Sequence, residues 1–195
     1  MILNKNNLCY VSIPKNGSTT ISKHLQDLNW QNIEIWNINK EHTLFTIIRD
    51  PLQRWVSGFV EDVYTNLDHE FFSHKIITEI ESRDSWFLDW IFFSRSFNIG
   101  FHTSLQKEWV LPSFHSKMVY FKLDDSLNFK LHHWLVGEGL HNDFLTLKKQ
   151  NVKHTTSMYN AINEYLFDSK NRHNKDKLLE YLKPDYDFIN SIKFY

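Results

Sequence analysis

Two stretches restrict the folds open to this chain more than any other part of it: Tyr10-Val-Ser-Ile-Pro-Lys-Asn-Gly-Ser-Thr-Thr20 and Phe45-Thr-Ile-Ile-Arg-Asp-Pro-Leu-Gln-Arg-Trp-Val-Ser-Gly58. Each passes from an apolar, β-branched run through a polar turn into a helical pattern. That arrangement aims backbone N–H groups and basic side chains at an anion. Two such sites on one sheet imply a ligand with two anionic ends.

In the first stretch the spacing predicts a strand over Leu8–Ile13 that stops at Pro14, which cannot donate to a ladder. Lys15 to Thr19 then turn into a helix that carries Ile21 and Leu25 inward. Gly17 permits close backbone approach, Ser18, Thr19 and Thr20 add hydroxyl donors at the helix start, and Lys15 supplies a positive charge. A Walker phosphate loop requires its lysine after the glycines, followed by a hydroxyl for magnesium. Here the lysine precedes Gly17, which disfavours a magnesium-dependent nucleotide or metabolite kinase.

The second stretch predicts a buried strand over Leu44–Ile48, with Asp50-Pro51 opening a helix. Arg49 sits at the carboxyl end of that strand, the edge of a parallel sheet where ligands bind. Ser57 lies two turns into the helix, with Arg54 near it in sequence. Arg49 with Ser57 offers planar donors and a hydroxyl to a phosphate.

These residues carry a family resemblance. Pro14-Lys-Asn-Gly-Ser-Thr-Thr20 resembles the 5′-phosphosulfate loop of sulfotransferases. Arg49-Asp-Pro-Leu-Gln-Arg-Trp-Val-Ser57 resembles their 3′-phosphate motif, including its eight-residue step from Arg to Ser. The second match is closest to the carbohydrate sulfotransferase branch. Phe101-His-Thr-Ser-Leu-Gln106 is similar to a His-x-x-x-Gln segment of that branch, and Val119–Asp124 to a late strand. Asn151 and Asp185-Tyr-Asp-Phe188 are similar to its carboxyl-terminal portion.

The resemblance implies an α/β fold of three layers, P-loop-NTPase-like, with a central parallel sheet flanked by helices. It implies 3′-phosphoadenosine 5′-phosphosulfate as donor, 3′,5′-adenosine bisphosphate as product, and direct transfer of the sulfuryl group to an acceptor. By analogy with phosphoryl transfer, the protein's part is positioning and electrostatic stabilisation, for which Lys15 is the expected residue. No catalytic metal is implied. The histidines are dispersed, Cys9 is alone, and the adjacent His132 and His133 point about 100° apart on a helix.

An acceptor hydroxyl must lose its proton, so a general base is expected within hydrogen-bond reach of it. His102, in the loop-like stretch Asn98–Thr103, is the first candidate, since histidine titrates in the useful range. His42 is the second, although it precedes the Leu44 strand and so falls at its amino-terminal edge. Glu61 and Asp62, on the helix after Ser57, are the third. For each of these a solvated or structurally hydrogen-bonded side chain is the plainer explanation.

With 195 residues, the chain suits a single domain over residues 1–195. Hydrophobic residues at 42% and charged residues at 23% are globular proportions. A net charge of -1 with pI near 6.8 argues against general nucleic-acid binding. One cysteine excludes an intramolecular disulfide and suits a reducing compartment. The amino terminus enters a strand almost at once, without an anchor of the kind Golgi carbohydrate sulfotransferases carry. No run reaches roughly 18 uninterrupted apolar residues, so no membrane partner is expected and a cytoplasmic location is the default.

Further along, Phe71–Ile80 and Trp86–Phe93 read as helices, Lys117–Leu123 as a strand, and Asp125–Leu135 as a helix capped by Asp124 or Asp125 and stopped by Gly137-Glu-Gly139. Helices are also expected near Tyr159–Phe167 and Lys175–Leu182. Leu147–His154 is a basic loop, and the resemblance puts it over the donor with Lys153 near phosphate; a solvated charge run explains it equally well. Aromatics reach 16%, and exposed ones would suit a carbohydrate acceptor, but Trp86 and Trp90 at i, i+4 spacing read first as a core stripe. The acceptor, whether glycan, lipid, peptide tyrosine or small metabolite, stays open. The alternative function is a non-catalytic nucleotide-binding or partner-regulating protein on the same fold.

Overall fold

A computed structural model describes residues 1–65, 74–83, 86–140 and 156–195. These fall into two compact units, each assembled from separated segments. The first holds residues 1–50, 106–140 and 188–195; the second holds 51–65, 74–83, 86–105 and 156–187.

The first unit is built on a five-stranded sheet of β1 (Ile2–Lys5), β2 (Leu8–Val11), β3 (Gln31–Asn32), β4 (Thr43–Ile48) and β5 (Met118–Lys122), in the order β3-β1-β2-β4-β5. β2, β4 and β5 are parallel, with Tyr10 beside Phe45 and Phe45 beside Val119. β1 and β3 are antiparallel additions, so the sheet is mixed where an all-parallel one was expected. The cause is local. Asn6-Asn7 leaves only two residues between β1 and β2, and so short a connection can join only antiparallel strands. Asn6 takes the positive φ of 55° that this turn needs.

Alternation along the strands divides the apolar side chains between the two faces. Leu8, Tyr10, Phe45, Ile47 and Phe121 face α1 (Ser18–Asp27) and α5 (Leu127–Gly137), which add Ile21, Leu25, Leu131 and Trp134. Phe45 is the centre of this face, with ring centroids 5.2 Å from Tyr10, 5.9 Å from Trp30 and 5.0 Å from Trp134. Burial of each such side chain contributes about 1.5–3 kcal/mol. Cys9, Val11, Leu44, Ile48 and Tyr120 face the other way, onto Val110 and Phe188. The chain ends by returning to the sheet, where Tyr195 N–H donates to Tyr120 O at 3.0 Å. At the start of α5, Ser126 is the cap residue. The Asp124 carboxylate accepts from Ser126 N at 2.9 Å and Oγ at 2.6 Å instead of capping the helix, and these bonds hold it below the usual carboxylate range.

The second unit is helical: α2 (Pro51–Thr65), α3 (His74–Glu81), α4 (Trp86–Ser94), α6 (Thr156–Phe167) and most of α7 (Arg172–Ser191). α7 continues through Pro184, beyond the expected end at Leu182. Trp55, Val56, Phe59 and Val63 of α2 pack with Phe87, Ile91, Ile162, Leu178 and Leu182. Trp55 Nε1 donates to Phe97 O at 2.8 Å. On α4 the buried stripe is Phe87, Leu88, Ile91 and Phe92; Trp86 and Trp90 fall just beside it and are exposed, which corrects their reading as core. Glu81 accepts from Tyr64 at 2.9 Å and Ser157 at 2.7 Å, and burial together with this carboxylate pushes the Tyr64 phenol up to about 12. Among the described residues, no helix is long and apolar enough to cross a membrane.

Candidate functional site

The turn after β2 departs from ordinary backbone geometry at two positions. Lys15 has φ 65° and Gly17, the cap residue of α1, has φ 74°. Gly17 takes this conformation freely, whereas Lys15 is strained by roughly 1 kcal/mol or more. No side chain caps α1, so the backbone N–H groups of Ser18, Thr19 and Thr20 have no acceptor from within the helix. Ser18 and Thr20 are half-buried and Thr19 is exposed.

What holds this turn is a ring of amides. Asn16, fully buried, donates from Nδ2 to Ile47 O at 2.7 Å and to Gln106 Oε1 at 3.1 Å. Gln106, also fully buried, donates from Nε2 to Arg49 O at 2.9 Å. Arg49 Nη1 donates to Lys15 O at 3.2 Å and closes the ring. The loop after β2 is thereby fastened to the carboxyl end of β4, and both Lys15 and Arg49 remain half-buried at that edge. Asn16 was expected to touch ligand; both of its Nδ2 hydrogens are spent on protein and brace the loop, while its Oδ1 is buried without a hydrogen-bond partner among the described residues. Gln106 is a residue that sequence reasoning quoted without giving it a role.

His42 lies before the first residue of β4. Its Nδ1 is 2.9 Å from Asn39 Oδ1. The six residues of β4, about 20 Å at a strand's rise, separate it from Arg49. The first unit therefore does not bring His42 together with Lys15 and Arg49. Lys153 lies outside the described residues.

In the second unit Ser57 is half-buried in α2. Arg54, one turn earlier, is buried and donates from Nη1 to Ser104 O at 2.5 Å, a structural use. Asp62, also on α2, is buried and accepts from the backbone N–H of His102 and Thr103 and from Thr103 Oγ1, and its Oδ1 lies 2.7 Å from His102 Nδ1. Two glycines make this approach possible. A Cβ on Gly58 would lie 2.1 Å from His102 O, and one on Gly100 would lie 2.6 Å from Asp62 Cγ. Of the proposed bases, Asp62 is thus fully engaged, Glu61 is half-buried, and His102 keeps an imidazole that is 25% exposed. The pairing of Asp62 with His102 was missed because its partners are forty positions apart. Gly58 and Gly100 were the available signal.

Among the described residues no group of three or more His, Cys, Asp or Glu is placed to hold a metal ion. No curated protein and no solved structure matches the chain. Residues 1–90, just under half of the chain, match the sequence model of the Sulfotransferase family. That span contains the Lys15 loop, Arg49 and α2, and over it the chain is similar to the sulfotransferases, which supports a transferase acting on sulfuryl groups.

Proposed function

We propose that the chain is a cytoplasmic sulfotransferase that uses 3′-phosphoadenosine 5′-phosphosulfate and sulfates the hydroxyl of a glycan or other small acceptor. The observation that carries this reading is the hydrogen bond from Arg49 to the Lys15 carbonyl, 3.2 Å long, which joins the two basic loops at one edge of the sheet. The donor set suits the ligand. An ammonium, a guanidinium and the uncapped N–H groups of α1 match a molecule with anionic groups at both ends.

The donor, when bound, supplies the sulfuryl group. Lys15 and the N–H groups of Ser18, Thr19 and Thr20 hold its 5′-phosphosulfate end, with Gly17 giving the backbone room. Arg49 holds the 3′-phosphate. Ser57 and Lys153 are assigned to the donor from the sequence resemblance alone. Negative charge that develops on the leaving oxygen is offset by Lys15, in a fixed arrangement that needs no reorganisation during transfer. His102 is assigned as the base that takes the acceptor's proton.

Incubation with sulfur-labelled donor and a panel of glycans, phenols and hydroxylated lipids tests the reading. Label passes to at least one acceptor, and Lys15→Ala lowers the rate by about 10²-fold or more. Donor binding without transfer to any acceptor contradicts the reading and favours a non-catalytic nucleotide-binding protein.

A further inference from the structure

We infer that Asp62 is a positioning residue for His102: it holds the imidazole in the tautomer protonated on Nδ1 and leaves Nε2 as the atom that accepts a proton. This rests on the proposed role of His102 as base and assigns the reacting nitrogen and the group that sets it.

The geometry leaves the Asp62 carboxylate little other use. Oδ2 accepts from His102 N at 3.1 Å, Thr103 N at 3.0 Å and Thr103 Oγ1 at 3.1 Å. Oδ1 faces His102 Nδ1 at 2.7 Å. An oxygen at that distance, in a carboxylate already receiving backbone N–H groups, requires the facing ring nitrogen to be the donor. The residue is held on both sides of its Cα, since Asp62 binds its backbone and its ring together. The segment is fixed further by Thr103 Oγ1, which accepts from Ile99 N and Gly100 N at 3.0 Å each. Phe101 stands edge-on to the imidazole, 5.4 Å between centroids at 88°. Nε2 makes no hydrogen bond among the described residues, and the ring is partly open to solvent. A purely architectural bond would not require one nitrogen of the ring to be left available.

Nitrogen-15 NMR of the His102 ring in the full chain, assigned by comparison with His102→Gln, reads the tautomer without any substrate. The expected result is a wild-type ring protonated on Nδ1, and a loss of that preference in Asp62→Asn. With a donor and acceptor that wild type turns over, Asp62→Asn lowers kcat by about 10²-fold or more while KM for the donor changes little. A wild-type ring protonated on Nε2 overturns the inference, and this measurement decides even where Asp62→Asn fails to fold. An unchanged tautomer and kcat in a folded Asp62→Asn also overturn it. Full activity in His102→Gln is a separate failure, that of His102 as base, and it leaves the tautomer result standing.

Discussion

Asn16 and Gln106 are joined side chain to side chain at 3.1 Å, both fully buried, and through them the loop after β2 is fastened to the end of β4. Neither amide is at a surface. Each satisfies a backbone carbonyl, Ile47 O for Asn16 and Arg49 O for Gln106. The positions of two cationic residues thus depend on two neutral ones that need not touch ligand.

Removal of this brace leaves buried polar groups without partners, which costs about 1–3 kcal/mol. Gln106→Ala is therefore expected to lower stability by that amount in urea unfolding. Its affinity for 3′,5′-adenosine bisphosphate falls as well, although every cationic residue is retained.

Gly58 lies against the His102 carbonyl, with 2.1 Å to an added Cβ. Gly58→Ala forces backbone to move and is expected to cost about 3 kcal/mol. In that variant the Asp62 contacts to His102 and Thr103 loosen, and amide exchange at residues 102–103 rises more than in the rest of the second unit.

Lys15 is strained at φ 65°, and glycine relieves that strain where alanine does not. Lys15→Gly is expected to exceed Lys15→Ala in stability by about 1 kcal/mol, while both lose bisphosphate binding to the same extent. The two variants separate the conformational role of the position from its charge in one pair of denaturation curves and titrations.

The Tyr64 phenol, pushed up to about 12 by burial and by Glu81, and the Tyr120 phenol, pushed up to about 12 by burial, keep their protons in the fold at pH values where an unfolded tyrosine, with a pKa near 10, has lost them. The unfolded chain then binds fewer protons, so stability is full below about pH 10 and declines as pH rises toward 12. Thermal midpoints measured across this range are expected to fall, less steeply in Tyr120→Phe. Tyr120 hydroxyl has no hydrogen-bond partner among the described residues, so this variant is expected to be as stable as wild type or slightly more stable at neutral pH.

The parallel core and the Lys15 and Arg49 turns were legible because they rest on local signals: apolar runs, a proline stop and a glycine before a helix. The β1 strand was not, since Ile2–Lys5 is short and its hairpin turn is Asn-Asn, a weaker signal than Asn-Gly. Trp86 and Trp90 show a further limit, because i, i+4 spacing marks a face without saying which face is covered. Asp62 with His102 and Asn16 with Gln106 depend on contacts between distant segments, which no local pattern encodes. The His-x-x-x-Gln spacing singled out His102 and Gln106 but gave no hint that the imidazole of one is held by Asp62 and that the amide of the other braces a loop.

We propose that the loops at Lys15 and Arg49 form a site for a doubly anionic nucleotide. Calorimetric titration of the full chain with 3′,5′-adenosine bisphosphate, beside ATP with magnesium in the same buffer, tests it most directly. Tight bisphosphate binding, weak ATP binding, and loss of the bisphosphate signal in folded Lys15→Ala and Arg49→Ala are expected. No binding of the bisphosphate to folded wild-type protein, or equal binding to both variants, would contradict it.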